Sequence, residues 1–568
     1  MKIPEKLGTR LVPILNGASA VSGVFALIMA AFVLVTAARL AAIDPLASTA
    51  LVELKQELSG RPADAALAGE IRSLDLTART AYFTARRRID TGAVILAAAF
   101  AIFAVSLRAA AALRKRIPDP RSTVRVPASK SHSRELRALA AAACGLFAVI
   151  SAAALLSTRD LSADFRRILN AVGLGDHPSR TSFMANWPAF RGPASGSVPP
   201  QAWGAAGFGR DELAVLWRSP AGLPGTGSPV VWDNGVFICG ASSDAQEISR
   251  FDADTGQEVW RVSTRNLLGK NQPSPDVSRD TGWAAPTPAC DGKRLFVMFA
   301  SGRLLALSLQ GRLLWSRDFG IPENPYGIAS SISLWRDEVI VQFDQSTVSL
   351  VAAFQAGSGR LLWRRSRRLR PSWATPLVVD EPEWKGLIVV GNPTVEALDL
   401  ETGRPLWAAD CMSGETAPSA AYFDGKAFAV TALASAFAIS CLPEGAIKPG
   451  DILWSYEEDL PDTSSPLAAG ERLYLASSAG TVTCLDTRSG KRLWRHEYEA
   501  RVSSSPINVG GVVFLADASG VLHRFEESPV HSPLADIPLG GPVAATPAFH
   551  EGRLYVRAGD ELVCVGRR

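Results

Sequence analysis

Three stretches decide the fold: Ile248–Trp260 (ISRFDADTGQEVW), Val395–Trp407 (VEALDLETGRPLW) and Val482–Trp494 (VTCLDTRSGKRLW). Each runs a β-type segment into an Asp, then a Thr/Ser-Gly turn, then a Trp four residues after the Gly. Looser copies place Gly311 before Trp315, Gly359 before Trp363 and Gly450-Asp451 before Trp454, and Trp217 (AVLWRS) stands alone at the front. The Trp-to-Trp spacings are 43, 55, 48, 44, 47 and 40 residues, a period with variable loops.

A second marker opens each unit: a small residue and Pro, followed by a short β-type run. It occurs at Ser228-Pro229, Thr287-Pro288, Thr375-Pro376, Ala417-Pro418, Ser465-Pro466, Ser505-Pro506 and Thr546-Pro547, and Ser330-Ser331 fills the slot that lacks Pro. That makes eight units. The runs between markers (VVWDNGVFICG, RLFVMFA, GLIVVG, RLYLASS, VVFLAD) give four strands per unit. A lone four-stranded unit cannot cover both of its faces. The units must pack on one another, and a ring of them leaves no long edge exposed. The last unit ends after three strands, so the strand around Trp217 is expected to supply its fourth and close the circle. Trp232 lies outside the repeating register and is expected to matter less for stability than the repeat tryptophans.

The rest of the chain is of another kind. All fourteen Trp fall between Trp187 and Trp494, and none in the first third. Three apolar stretches there, at about 12–38, 91–113 and 138–158, are long enough to cross a bilayer. The residues Arg108–Arg137 are rich in Lys/Arg, whereas 38–91 is nearly balanced. This places the N-terminus in the cytoplasm and everything beyond Thr158 outside. Apolar residues at helical spacing over 45–90, interrupted at Pro62, predict an extramembrane helical hairpin. The expected organisation is therefore a membrane region over 1–158, a linker over 159–186 and an all-β eight-bladed propeller over 187–568. The net charge of +4 excludes a polybasic nucleic-acid binder.

The repeat motifs resemble those of the PQQ-type eight-bladed propellers, and WPAFRGPASG (Trp187–Gly196) resembles the opening segment of bacterial membrane or exported PQQ-binding-like repeat proteins. The resemblance implies that Trp217, Trp260, Trp315, Trp363, Trp407, Trp454 and Trp494 dock neighbouring blades. It leaves activity open, since this fold hosts several functions. Quinoprotein dehydrogenases of the family hold PQQ over Ca²⁺ with acidic and amide ligands, and often carry adjacent cysteines. This chain has no adjacent cysteines and no CxxCH haem motif. Its six histidines are scattered, which predicts no metal site. Cysteines Cys239, Cys441, Cys484 and Cys564 lie within β-type runs, which favours free buried thiols.

What remains is the loop face. The connections from each outer strand to the next inner strand gather on one side, and long loops on a rigid scaffold commonly bind. They carry Trp283, Tyr326, Arg367 and Arg368 (within RRSRRLRP), Trp373, Glu415, Asp462 and Arg501. The arginine run suits an anionic ligand or partner, and the two tryptophans suit a planar or sugar ligand. The expected function is a non-enzymatic, inner-membrane-anchored scaffold with its propeller on the outer side, binding a protein, small molecule or glycan through this face and requiring no cofactor. The alternative is a dehydrogenase using PQQ with Ca²⁺. The resemblance supplies a functional cousin in the propeller lipoprotein of the outer-membrane barrel-assembly machinery, although this chain has three spans and no lipobox Cys.

Overall fold

The computed structural model describes residues 177–568, apart from 199–204, 270–274, 348, 433, 442–444, 447–450 and 568, together with scattered helical positions between 17 and 108. The chain divides into two compact units, Met1–Gly175 and Asp176–Arg568. In the first unit, residues 20–26 and 102–106 are helical and fall in the first two apolar stretches. The third stretch and the 45–90 hairpin lie outside the described residues. No helix among the described residues is long and apolar enough to cross a membrane.

The second unit is an eight-bladed β-propeller, each blade a four-stranded antiparallel sheet. Blade 1 shows the plan: Val230–Trp232 innermost, then Gly235–Ala241, Gln246–Asp252 and Glu258–Ser263 outermost. In blade 8 the outer strand is Leu213–Pro220, which pairs with the chain's last strand, Glu561–Arg567, over seven residue pairs from Leu213↔Arg567 to Pro220↔Glu561. The two ends of the domain therefore share one sheet.

The repeat motif explains the blade junctions. In the turn of blade 1, Asp252 Oδ1 accepts from the Thr255 amide at 2.9 Å and from its hydroxyl at 2.9 Å. The backbone donor from Thr255 is the chief reason its carboxyl is held below the usual range. Asp486 caps the blade 6 turn through Ser489 in the same way. The glycine that follows has two reasons to be glycine. Gly403 has φ +67°, and a Cβ there would lie 2.4 Å from the indole of Trp363; Gly490 and Trp454 repeat this at φ +68° and 2.6 Å. The indoles of Trp217, Trp260, Trp315, Trp363 and Trp454 thus lie on the turn glycines Gly256, Gly311, Gly359, Gly403 and Gly490 of the next blade. The Nε1 groups of Trp217, Trp260, Trp315, Trp363, Trp454 and Trp494 donate to backbone carbonyls of the following blade at 2.8–3.2 Å. Trp407 is fully buried in the core cluster spanning blades 4 and 5.

The small-residue marker has an equally definite place. The amide of Ser228 donates to the Thr287 hydroxyl, Thr287 to Ser331, Ser331 to Thr375, Thr375 to Ser419, Ser419 to Ser465, Ser465 to Ser505, Ser505 to Thr546, and Thr546 back to Ser228, all at 2.8–3.0 Å. Every inner strand is tied to the next by one hydroxyl. This corrects the fifth marker, because Ser419, not Ala417-Pro418, holds the slot. It also corrects Trp232, which is buried against Gly292 and the ring of Phe183, more so than the half-buried Trp217. The six cysteines of the propeller are unbridged. Burial pushes the thiols of Cys239, Cys411, Cys441, Cys484 and Cys564 up to about 12.

Candidate functional site

The chain reaches the ring through the channel. The short helix Arg180–Met184 is followed by Asn186, whose Oδ1 accepts from the Asp233 amide at 2.7 Å in the first hairpin turn of blade 1. Arg180 donates to the Asp380 carbonyl at 2.5 Å in the equivalent turn of blade 4. The next twelve residues run along the free edges of the inner strands. Trp187 exchanges backbone hydrogen bonds with Val231 in blade 1, the Cys290 amide of blade 2 donates to the Pro188 carbonyl, and Ser197–Val198 pairs in parallel with Asn508–Val509 of blade 7. Arg191 donates to the Ala420 carbonyl of blade 5 at 3.1 Å and to the Pro466 carbonyl of blade 6. Its partners are carbonyls, and full burial lowers its guanidinium to about 9. The segment therefore stoppers the channel just beyond the hydroxyl ring. The outer-to-inner loops gather at the opposite end.

On that face three successive loops are locked together. Tyr326 stands edge-on to Trp373 with ring centroids 4.9 Å apart and planes at 87°. The Tyr326 hydroxyl donates to Glu415 Oε2 at 3.3 Å, and the neighbouring carboxylate is the chief cause that holds the phenol above its usual range. Trp373 Nε1 donates to Asn324 Oδ1 at 2.8 Å, and the Trp373 amide to the Thr416 carbonyl at 2.9 Å. Only 7% of Trp373 is exposed, so it anchors the loops while Tyr326 and Glu415 present the accessible groups. Trp283 is half-buried against blades 1 and 2, with Nε1 on the Pro275 carbonyl at 2.9 Å. Arg368, Asp462 and Arg501 are exposed, and Asp462 accepts from Ser478 at 2.9 Å. The face offers one aromatic-carboxylate cluster and dispersed charges on both sides of it.

Arg367 departs from the expectation of a solvated loop. It ends the outer strand Leu361–Arg367 of blade 3, and its side chain is 1% exposed. Its Nη1 meets Asp344 Oδ2 and its Nε meets Glu396 Oε2, each at 2.9 Å. Gln342 and Ser372 complete the coordination of Asp344 at 2.7 and 2.6 Å. Burial pushes the Asp344 carboxyl up and Arg367 opposes it. Strand alternation explains the difference, since Arg364, Ser366 and Arg368 are exposed on one face of the strand, with Arg364 beside blade 2, while Arg365 and Arg367 face the next blade.

The structure also joins residues that the sequence kept apart. The imidazoles of His496 and His531 stack at 4.1 Å, and Tyr498 stacks on His523 at 3.9 Å. His523 lies 3.0 Å from Asp517 and 3.1 Å from Asp536. Reading for i, i+4 spacing misses such a cluster, whose members come from two blades. The signal that finds it is the repeat register: His496 and Tyr498 follow Trp494 by two and four residues, the positions that face the next blade. Among the described residues no three His, Cys, Asp or Glu side chains are placed to hold a metal ion.

Blade number, ring closure and docking indoles together define a PQQ-like propeller. A family model described as "Outer membrane protein assembly factor BamB" matches residues 210–327 and 347–528, more than half of the chain, and the chain belongs to this family. Among curated relatives, it is 28% identical over 170 residues to the "Quinohemoprotein alcohol dehydrogenase ADH IIB" of Pseudomonas putida, covering 27% of this chain and 22% of that one. It is 27% identical over 206 residues to the "Outer membrane protein assembly factor BamB" of Burkholderia pseudomallei, covering 34% and 45%. The matches thus span less than half the length of these relatives. Among solved structures, the quinohemoprotein alcohol dehydrogenase from Comamonas testosteroni superposes with a TM-score of 0.52 at 14% identity, covering 69% of this chain and 82% of that one. At that identity the likeness is one of fold.

Proposed function

We propose that this protein is a non-enzymatic binding scaffold, anchored in the bacterial inner membrane by its apolar N-terminal stretches. Its N-terminus is cytoplasmic and its propeller lies on the outer side. The propeller takes a protein partner through its loop face. One observation carries this reading: the lead-in segment fills the channel from the far side, and on the near side Asn324, Tyr326, Trp373 and Glu415 lock three loops into one preorganised surface. A rigid, aromatic-centred patch with charged surroundings is the chemistry of a protein-binding face. The apolar stretches and the Lys/Arg bias support the anchoring.

The dehydrogenase reading needs a cation and a quinone held by convergent acids and amides. Among the described residues no three acidic, histidine or cysteine side chains are placed to hold a cation together. Asp344 is committed to Arg367, Glu415 to Tyr326 and Asp462 to Ser478. The residues do not fit that group.

The test uses the full-length chain. A photo-crosslinking residue at Tyr326 is expected to capture a discrete partner in cells, whereas one at Val530 on the outer rim does not. PQQ and Ca²⁺, supplied with an artificial electron acceptor and a panel of alcohols and sugars, are expected to give no dye reduction. Reduction that requires both additions overturns the scaffold reading in favour of catalysis.

A further inference from the structure

Between blades 2 and 3 lies a cavity of about 320 Å³. Its walls are Phe319 from the end of the blade 2 outer strand and Phe343, Leu350, Ala352, Phe354 and Leu361 from blade 3. Phe319 stacks on Phe343 at 5.3 Å and meets Phe354 edge-on at 5.7 Å, so the aromatic wall is already assembled. Two arginines, Arg317 and Arg364, are among the residues that line the same space. Arg317 donates only to backbone carbonyls: Nε to Gly359 at 2.7 Å, and its Nη groups to Ser316 at 3.1 Å and Ser358 at 3.5 Å. Among the described residues neither arginine is ion-paired. The cavity's one carboxylate, Asp318, is paired with Arg303.

The repeat register says what is missing. At the next junction, Arg365 stands two residues after the docking Trp363 and donates to Glu396 Oε1 at 2.6 Å. Glu396 directly precedes Ala397, the strand partner of Trp407. Shifted by one blade, the equivalent of Arg365 is Arg317, two residues after Trp315. The equivalent of Glu396 is Ala352, which directly precedes Ala353, the partner of Trp363. Arg364 sits opposite Ala352 on the neighbouring strand. The cavity therefore occupies the volume in which the adjacent junction houses a glutamate. It keeps that glutamate's arginine and adds a second arginine. Phe319 holds the position of Arg367, which converts the far wall from charged to aromatic.

We infer that this cavity is a binding site for an aromatic monocarboxylate, whose carboxylate takes the place of the absent glutamate between Arg317 and Arg364 and whose ring packs on Phe319, Phe343 and Phe354. A carboxylate between guanidinium groups gains charge-assisted hydrogen bonds, and the volume lies at the lower end of ordinary small-ligand pockets. Two sources share this chemistry: a free aryl-alkanoic acid and the C-terminal aromatic residue of a peptide chain. Occupancy of this cavity does not require the partner proposed for the loop face, although Gln345 of its lining accepts from the Glu323 amide in the loop that carries Tyr326.

The test is ligand-observed fluorine NMR on the full-length chain with 3-(4-fluorophenyl)propionate, competed by N-acetyl-Gly-Phe and by the amides of both compounds. Saturable binding of the acid is expected, with at least a tenfold loss for either amide. Competition by N-acetyl-Gly-Phe assigns the site to chain ends, and its failure assigns it to free acids. Ala352→Glu restores the glutamate of the next junction, and is expected to abolish binding without lowering the melting temperature. Arg364→Gln, at an exposed position, is expected to weaken binding at least tenfold and serves if Ala352→Glu does not fold. Absence of saturable binding by the unmodified chain, equal binding of acid and amide, or unchanged binding in a folded Ala352→Glu protein overturns the inference.

Discussion

The amide of Thr546 in the last blade donates to the hydroxyl of Ser228 in the first, at 3.0 Å, and so completes a circle of eight identical bonds. Each bond joins a buried amide to a buried hydroxyl. Removing one acceptor leaves a buried N–H unsatisfied, which costs about 1–3 kcal/mol. Ser228→Ala is expected to lower stability by that amount, whereas Ser228→Thr, which other blades use, is expected to cost little. Urea unfolding midpoints of the two variants check this. Equal midpoints would show that the ring is a consequence of blade packing rather than a contributor to it.

Closure makes a second demand. The strand Leu213–Pro220 completes blade 8, and the lead-in segment ties blades 1, 2, 5, 6 and 7 from inside the channel. Deleting residues 187–219 is expected to expose a sheet edge and produce an aggregating protein, read by size-exclusion chromatography. A soluble protein of unchanged melting temperature would contradict the closure. Single truncations should rank by burial. Trp407→Ala and Trp232→Ala are expected to cost about 3–5 kcal/mol, and Trp217→Ala less, since its indole is half-buried.

The blade count, the turn chemistry and the shared last blade were legible because the repeat writes each of them several times. A Gly that must accept positive φ under an indole recurs four residues before Trp260, Trp315, Trp363, Trp407 and Trp494. The marker at Ser419 was misplaced because Pro418 lies before the hydroxyl residue there, whereas in the other Pro-bearing markers Pro follows it. What the sequence hid were contacts between blades. Arg367 looks like one of five loop arginines, yet strand alternation turns it onto Asp344 and Glu396. His496, His523 and His531 are 27 and 35 residues apart, counted from His496, and meet only because the positions two and four after a docking Trp face the next blade. The channel segment gave only its opening motif, and nothing in WPAFRGPASG states which strand edges it covers.

The Arg367 network predicts a mutation and its pH dependence together. Asp344 and Glu396 are both buried carboxylates that share this one guanidinium. Arg367→Met removes the cation and leaves the buried Asp344 uncompensated, while Glu396 keeps its pair with Arg365, and is expected to destabilise the protein by about 3–5 kcal/mol at neutral pH. Burial already raises the folded Asp344 carboxyl above its usual 3.8, so its charged form is the costly one in the folded state. A raised acid favours the folded state most at low pH, and that contribution is lost as pH rises through the folded value. The penalty of Arg367→Met should therefore shrink as pH is lowered and Asp344 takes up a proton. A penalty independent of pH would mean that the lost packing of the side chain, and not its charge, is what the substitution removes.

The histidine cluster predicts the opposite pH trend for the intact protein. Burial, followed by the charge of His523, holds His496 below the ordinary 6.5, and burial, followed by the charge of His496, does the same for His531. The groups around them are Asp517, Asp536 and Glu497, of which Asp517 and Asp536 engage His523. Glu497 is ion-paired with Arg495, as is Asp459. With folded values below the unfolded ones, the unfolded chain binds more protons as pH falls through 6.5. The contribution of these residues is thus complete above about pH 7 and is lost as pH falls through the unfolded and then the folded values. Thermal melts from pH 8 to pH 5 are expected to show a falling melting temperature. The double substitution His496→Gln, His531→Gln is expected to flatten that fall, leaving the part due to His550, which burial lowers as well. If the double variant kept the full pH dependence, the stacked pair would be titrating as free imidazoles, and the contact between blades 6 and 7 would have to be looser than their 4.1 Å separation describes.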